Sequence, residues 1–210
     1  TAIRIKPDYA DAYINLGSTL KNSGQLDAAI NTYKELLKIK PDDAEAYYNI
    51  GNTFKANNDS NAAIEYYQKA INSQPSYSEA YNNLGTTLMD KGELDGAIIN
   101  YKKALSLKPD DAEIHYNIGN ALQNKGALDE AIEYYRIAIE IFPDYANAYN
   151  NIAVALKSRG ELEAAIKCYN KVLKIKPDDA NAYYNMGISL KNKGDFSAAL
   201  DCYKRALEIT

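Results

Sequence analysis

The 210-residue sequence has no tryptophan, one histidine, two cysteines and six prolines. A single histidine cannot build a metal site or a histidine–cysteine catalytic pair without partners. No GxxxxGK[ST] run is present to hold a phosphate. From these absences we expect no catalytic activity, no metal and no cofactor.

The chain also lacks a net positive charge and a long apolar run. The formal net charge is −4, whereas nucleic-acid binding needs a clustered basic surface, so RNA binding by a helical-repeat array is a disfavoured alternative. No apolar run approaches the ~20 residues that a membrane helix needs, and no signal-like segment opens the chain. We therefore expect neither a nucleic-acid nor a membrane partner.

The prolines show how the chain is organised. They lie at Pro7, Pro41, Pro75, Pro109, Pro143 and Pro177, and every successive difference, such as 41 − 7, is 34 residues. A fixed period of this length indicates a stacked array of helical repeats. With Ala10 as position 1, one continuous solenoid domain is predicted, with repeats at 10–43, 44–77, 78–111, 112–145, 146–179 and 180–210. Residues 1–9 are interpreted as the end of a truncated preceding repeat, so the chain is expected to be cut from a longer one.

Within each repeat the pattern predicts two helices. In the second repeat, bulky or small residues follow the helical spacing i, i+3, i+4, i+7 at Tyr47, Ile50, Gly51 and Phe54. Position 15 is glycine in five repeats and Asn58 in the other, which are the residues that leave a helix through the left-handed region. Alanine at position 20 and tyrosine at position 24 recur in all six repeats and mark a second helix.

These recurring positions resemble the tetratricopeptide repeat signature: aromatic 4, aliphatic 7, small 8, bulky 11, Ala 20, aromatic 24, small 27 and Pro 32. The resemblance implies an all-α, right-handed superhelical solenoid of antiparallel helix hairpins with a 34-residue period. It also implies that the first helices line a concave groove and that the chain binds a protein or an extended peptide.

Asparagine fills position 6 of every first helix, at Asn15, Asn49, Asn83, Asn117, Asn151 and Asn185. Its amide both donates and accepts, as a peptide backbone requires, so we predict that this ladder binds ligand in the groove, together with Asn52 and Asn120 at position 9. The ladder resembles the one in the tetratricopeptide superhelix of O-GlcNAc transferases, although no transferase domain is present. The alternative is that the asparagines bond to neighbouring helices and hold the stack in register.

Tyrosine alternates along the chain with a second, longer period. In repeats 2, 4 and 6 it lies at position 5, as Tyr48, Tyr116 and Tyr184. Repeats 1, 3 and 5 are instead preceded by a tyrosine, as Tyr9, Tyr77 and Tyr145. We interpret this as duplication of a pair of repeats, with one tyrosine exchanged between two sites at each boundary. The position 5 tyrosines are predicted to form aromatic patches in the groove.

Other expectations concern the partners and the cell compartment. The lysine and arginine of a carboxylate clamp are missing, so a chaperone C-terminal tail is disfavoured as ligand. There are two alternative functions. The chain could be a structural solenoid that self-associates end to end, or the substrate-selecting fragment of a larger enzyme. Cys168 and Cys202 occupy equivalent positions of successive repeats, about 8–10 Å apart in stacked helices, which is too far for a disulfide. Free thiols favour a cytoplasmic location.

Overall fold

The computed structural model describes residues 10–209, and the predictions for residues 1–9, including Tyr9, lie outside this part. The described chain consists of twelve α-helices with no strand. They are α1 (Ala10–Asn22), α2 (Leu26–Ile39), α3 (Ala44–Ala56), α4 (Ser60–Ser73), α5 (Ser78–Asp90), α6 (Leu94–Leu107), α7 (Ala112–Asn124), α8 (Leu128–Ile141), α9 (Ala146–Ser158), α10 (Leu162–Ile175), α11 (Ala180–Lys193) and α12 (Phe196–Ile209). Odd-numbered helices are the first helices of the predicted repeats and even-numbered helices the second.

The helices fall into two compact units, and the boundary in the chain lies between Pro109 and Asp110. Unit 1 contains α1–α6 and unit 2 contains α7–α12. Each unit is described by itself below. The repeat boundaries and the single continuous domain stay predictions.

Each first helix ends where the sequence predicts. The glycine at position 15 has a positive φ in five hairpins, between +78° and +92°, and Asn58 adopts φ +59° in the sixth. Asn58 is the one non-glycine residue with positive φ in the described chain. Asparagine is the usual substitute for glycine in this conformation, so the exception has the expected geometry.

The starts of the first helices differ between alternate repeats. Asp43, Asp111 and Asp179 cap their helices by accepting hydrogen bonds from backbone N–H groups one turn into the helix. Tyr77 and Tyr145 stand at the corresponding position before repeats 3 and 5, where the side chain makes no capping bond. The first helices of these two repeats therefore lack the side-chain cap that aspartate supplies.

Within a hairpin, the second helix presses its position 24 tyrosine against the first helix. A Cβ added to Gly119 would lie 2.5 Å from Cε1 of Tyr135, so only glycine leaves room for the ring as it is placed here. Repeat 5 carries Ala153 at this position instead, with Ala153 and Tyr169 both fully buried. His115 is also buried and lies against Tyr134, with ring centroids 5.9 Å apart.

Candidate functional site

The predicted site residues lie on the first helices. We call the side chains at positions 5, 6 and 9 the ladder face; its members are Ile14, Asn15, Ser18, Tyr48, Asn49, Asn52, Asn82, Asn83 and Thr86 in unit 1, and Tyr116, Asn117, Asn120, Asn150, Asn151, Val154, Tyr184, Asn185 and Ile188 in unit 2. Asn15 is exposed, whereas the other five position 6 asparagines are half-buried. Their amides are therefore held close to neighbouring side chains while one side still meets solvent.

In unit 1, the amide of Asn83 is bonded to the preceding repeat. Its Nδ2 donates to the Tyr48 hydroxyl at 3.0 Å and to Asn52 Oδ1 at 2.9 Å. The same Asn52 oxygen accepts from the hydroxyl of buried Tyr67 at 2.8 Å. We call these four residues, Tyr48, Asn52, Tyr67 and Asn83, the amide–tyrosine cluster of unit 1; it joins α3, α4 and α5.

Unit 2 repeats this arrangement at the corresponding positions. Nδ2 of Asn151 lies 3.2 Å from the Tyr116 hydroxyl, 2.8 Å from Asn120 Oδ1 and 3.4 Å from the Tyr135 hydroxyl. The Tyr135 hydroxyl donates to Asn120 Oδ1 at 2.9 Å. The amide–tyrosine cluster of unit 2 is therefore Tyr116, Asn120, Tyr135 and Asn151, and it joins α7, α8 and α9.

Asn49 and Asn185 differ from these two asparagines. The side chain of Asn49 forms no hydrogen bond within residues 10–209. Asn185 accepts at Oδ1 from Lys157 Nζ at 3.3 Å. Ligand binding by the six asparagines stays a prediction, and Asn83 and Asn151 have in addition the contacts with neighbouring helices that the alternative interpretation required.

The alternating tyrosines meet in pairs within repeats 2 and 4. The rings of Tyr48 and Tyr77 in repeat 2 lie 5.0 Å apart, and those of Tyr116 and Tyr145 in repeat 4 lie 4.9 Å apart. Offset aromatic contacts of this length are favourable. The position 5 tyrosine of repeat 6, Tyr184, is 55% exposed and contacts Tyr203 of its own repeat.

Tyr67 and Tyr135 were not predicted as members of these clusters, because their recurrence at position 24 indicated only a second helix. The available signal was the coincidence of tyrosine at position 5 with asparagine at position 9, which occurs in repeats 2 and 4 alone. The pair supplies two acceptors side by side on one helix face, which is what the amide of the next repeat needs.

The buried hydroxyls of Tyr67 and Tyr135 are neutral at neutral pH. Burial raises the pKa of Tyr67 and of Tyr135 above the ordinary tyrosine value, and the effect of burial exceeds the lowering by hydrogen bonds from Asn83 and Asn151. Burial, together with nearby Tyr116, Glu113 and Asp111, raises the pKa of Tyr145 to about 12. The cluster amides and these buried hydroxyls are therefore uncharged, a chemistry suited to hydrogen bonding with uncharged groups.

Other kinds of site find little support in the part of the chain that the structure describes. No group of three histidine, cysteine or acidic side chains in residues 10–209 is placed to hold a metal. None of the described helices is long and apolar enough to cross a membrane. Cys168 and Cys202 are free thiols, as expected; the cytoplasmic location stays a prediction.

Comparison with known families decides the fold. A model described as TPR repeat matches residues 19–58, 85–126 and 155–194, and two tetratricopeptide repeat models match residues 44–77, 112–145 and 180–209, and residues 1–31, 66–99 and 134–167. The chain belongs to the tetratricopeptide repeat family. The predicted resemblance and fold class, an all-α solenoid of helix hairpins, are thereby confirmed. Proteins of this family are protein-interaction scaffolds. No curated protein matches the sequence.

Solved structures agree with this tetratricopeptide assignment. A crystal structure of MamA is 33% identical, covers 76% of this chain and 94% of its own, and has a TM-score of 0.73. YrrB, described as a TPR protein with an unusual peptide-binding site, is 28% identical over 86% of this chain and 93% of its own, with a TM-score of 0.71. Pseudomonas aeruginosa pilF, at 22% identity, 92% and 88% coverage and a TM-score of 0.80, shares the fold.

Proposed function

We propose that this tetratricopeptide chain is a protein-interaction scaffold that binds an extended peptide segment along its ladder face through side-chain amides. The observation that supports the proposal is Asn49, a half-buried amide on this face with no hydrogen-bond partner in residues 10–209. A polar group held near the protein surface without a partner is satisfied by water or by a ligand. The unusual peptide-binding site described for YrrB, which is similar to this chain, favours a peptide as that ligand.

The chemistry of the ladder face favours backbone recognition over recognition of particular side chains. An asparagine amide can donate to a peptide carbonyl and accept from a peptide N–H at the same time. Such contacts are common to all sequences, so the scaffold tolerates many peptides. A groove of amides and neutral tyrosines also binds without strong salt dependence, because it contributes few charges.

The test is binding of a fluorescein-labelled pool of 12-residue peptides of randomised sequence, followed by fluorescence anisotropy. The wild-type chain is compared with a variant carrying alanine at Asn49, Asn83, Asn151 and Asn185. The control variant carries alanine at asparagines exposed on the second helices, Asn31, Asn72 and Asn170. We expect the ladder variant to lose most of the anisotropy change and the control to keep it, with far-UV circular dichroism unchanged in both. Equal binding by both variants would show that the ladder face is not the binding site.

We propose self-association as a second candidate function, because repeat 6 exposes a large apolar surface. Phe196, Leu200 and Leu207 are 65%, 57% and 78% exposed, and Tyr184, Tyr203 and Leu207 line a cavity of about 600 Å³. In repeats 2 and 4, the tyrosine equivalent to Tyr184 packs against the tyrosine that precedes the next helix. In the sequence, a tyrosine, Tyr9, likewise precedes the first repeat. We therefore take the first repeat of a second copy as the occupant.

Sedimentation velocity over a hundredfold range of concentration tests this. The wild-type chain should shift from monomer to larger species, and Leu207→Glu should stay monomeric. Lys204→Glu, an exposed change on the same helix, serves as the charge control and should still associate. A monomer at every concentration would leave the peptide-binding scaffold as the proposed function.

A further inference from the structure

The six ladder asparagines form the same row in the sequence, yet their amides are used in different ways. We infer that the row contains two functional classes, which differ in the acceptors that the preceding repeat offers. Asn83 joins repeat 3 to repeat 2, and Asn151 joins repeat 5 to repeat 4. Asn49 and Asn185 are the amides that bind ligand. This inference rests on the proposed function and assigns specific residues of the same site.

The first class has no donor left for a ligand. An asparagine amide carries two N–H donors, and in Asn83 both are taken, by the Tyr48 hydroxyl and by Asn52 Oδ1. The short contacts of Asn151 with Asn120 and Tyr116 use its donors in the same way. A peptide carbonyl could bind these amides only by breaking bonds that hold two repeats together.

The acceptor that anchors each cluster is also saturated. Oδ1 of Asn52 receives Tyr67 and Asn83, and Oδ1 of Asn120 receives Tyr135 and Asn151. A carbonyl oxygen has two lone pairs, so each oxygen makes all the bonds it can. Removing one member of a cluster therefore leaves another half-buried group without its partner.

The two members of the second class follow repeats that lack the pair of tyrosine at position 5 and asparagine at position 9. Repeat 1 offers Ile14 at position 5, which has no polar group, and Ser18 at position 9, whose Oγ is bonded to the Tyr33 hydroxyl at 3.1 Å. Asn49 in the following repeat thus has no partner, although it occupies the same helix position as Asn83. Its donor and acceptor are both available for one peptide unit.

Repeat 5 leaves Asn185 in a similar situation. Position 9 is Val154, which cannot accept, and the one contact of the Asn185 amide within residues 10–209 is at Oδ1, from Lys157 Nζ at 3.3 Å. The Nδ2 donors remain available. A lysine on a flexible chain is easily displaced, so a ligand N–H can replace it at the oxygen.

The inference gives opposite expectations for two matched double variants, which change the same residue type at the same helix position. Asn83→Ala with Asn151→Ala removes the inter-repeat amides, and Asn49→Ala with Asn185→Ala removes the available ones. Both are measured for urea unfolding by circular dichroism and for affinity to the fluorescein-labelled peptide pool by anisotropy.

We expect the Asn83/Asn151 variant to unfold at a clearly lower urea midpoint and to bind the pool within about twofold of wild type. The Asn49/Asn185 variant should keep its midpoint and lose at least about tenfold in affinity, the effect of one to two hydrogen bonds. The reverse pattern, or equal effects of both variants on both quantities, would overturn the division into two classes.

Failure of the inference and failure of the proposed function remain distinguishable. If the wild-type chain does not bind the pool, peptide binding by the ladder face fails, and the ligand half of the inference fails with it, while the urea midpoints still test the structural role of Asn83 and Asn151. If the pool binds and the Asn83/Asn151 variant alone loses affinity, the ladder face is the site but the assignment of its residues is wrong.

Discussion

Repeats 4 and 5 lie next to each other in unit 2 and build the same hairpin from different residues. Repeat 4 has Gly119 and Asn120 at positions 8 and 9, and its buried Tyr135 hydroxyl is bonded within the cluster. Repeat 5 has Ala153 and Val154 at these positions, and the hydroxyl of its buried tyrosine, Tyr169, has no partner.

Packing within a hairpin and hydrogen bonding between repeats are separate contributions of the position 24 tyrosine. Tyr135 and Tyr169 are both fully buried, so the hairpin is held by apolar packing of the tyrosine ring and does not need its hydroxyl bonded. The hydrogen bonds serve the contact from one repeat to the next. Where position 9 cannot accept, as at Val154, the Nδ2 donors of the following asparagine, Asn185, make no bond within residues 10–209.

Replacing Gly119 by alanine makes repeat 4 resemble repeat 5 and should have the largest effect. The new Cβ would lie 2.5 Å from Cε1 of Tyr135, so the ring must move and its bonds to Asn120 and Asn151 weaken. Overpacking of this kind typically costs about 1–3 kcal/mol of unfolding free energy. Urea unfolding followed by circular dichroism measures the loss.

The reverse change, Ala153→Gly, is the control for Gly119→Ala. It restores no hydrogen bond, because Val154 cannot accept. Glycine inside a helix also lowers the free energy of unfolding by about 0.5–1 kcal/mol relative to alanine. We therefore expect both changes to destabilise. A stabilised Ala153→Gly variant would mean that the methyl group strains repeat 5, and that the apolar packing of the two hairpins is not equivalent.

Much of the fold could be predicted because it depends on features that each repeat contains by itself. The helix pairs follow from the 3.6-residue spacing of apolar residues, and the helix exits from glycine and Asn58. The buried position of Tyr135 followed from its recurrence at position 24. None of these required knowledge of the neighbouring repeat.

The clusters were not predicted because they depend on which side chains one repeat offers to the next. Asn52 and Asn120 at position 9 were predicted to bind ligand. In the structure, they are the acceptors for the amides of Asn83 and Asn151. Similarly, the sequence shows that the tyrosines alternate, but it does not show that Tyr48 contacts Tyr77. Sequence periodicity gives the position of a residue in its repeat, whereas the register between repeats decides its partner.

The smallest and most selective change removes one hydroxyl from each repeat. Tyr135→Phe deletes the bond to Asn120 and leaves the ring in place, which should cost about 0.5–1.5 kcal/mol of unfolding free energy. Tyr169→Phe deletes a buried hydroxyl that has no partner, and burying such a group without a bond is unfavourable, so this variant should be as stable as wild type or more stable. Urea midpoints of the two variants, with hydrogen exchange of the amides in α8 and α10, measure the difference.

Because both rings are equally buried, any difference between the variants reports the hydrogen bonds of the hydroxyl alone. Equal losses in the two repeats would indicate that water or a movement of α9 satisfies Tyr169, and the contrast between repeats 4 and 5 would then lie only in the inter-repeat amide of Asn151.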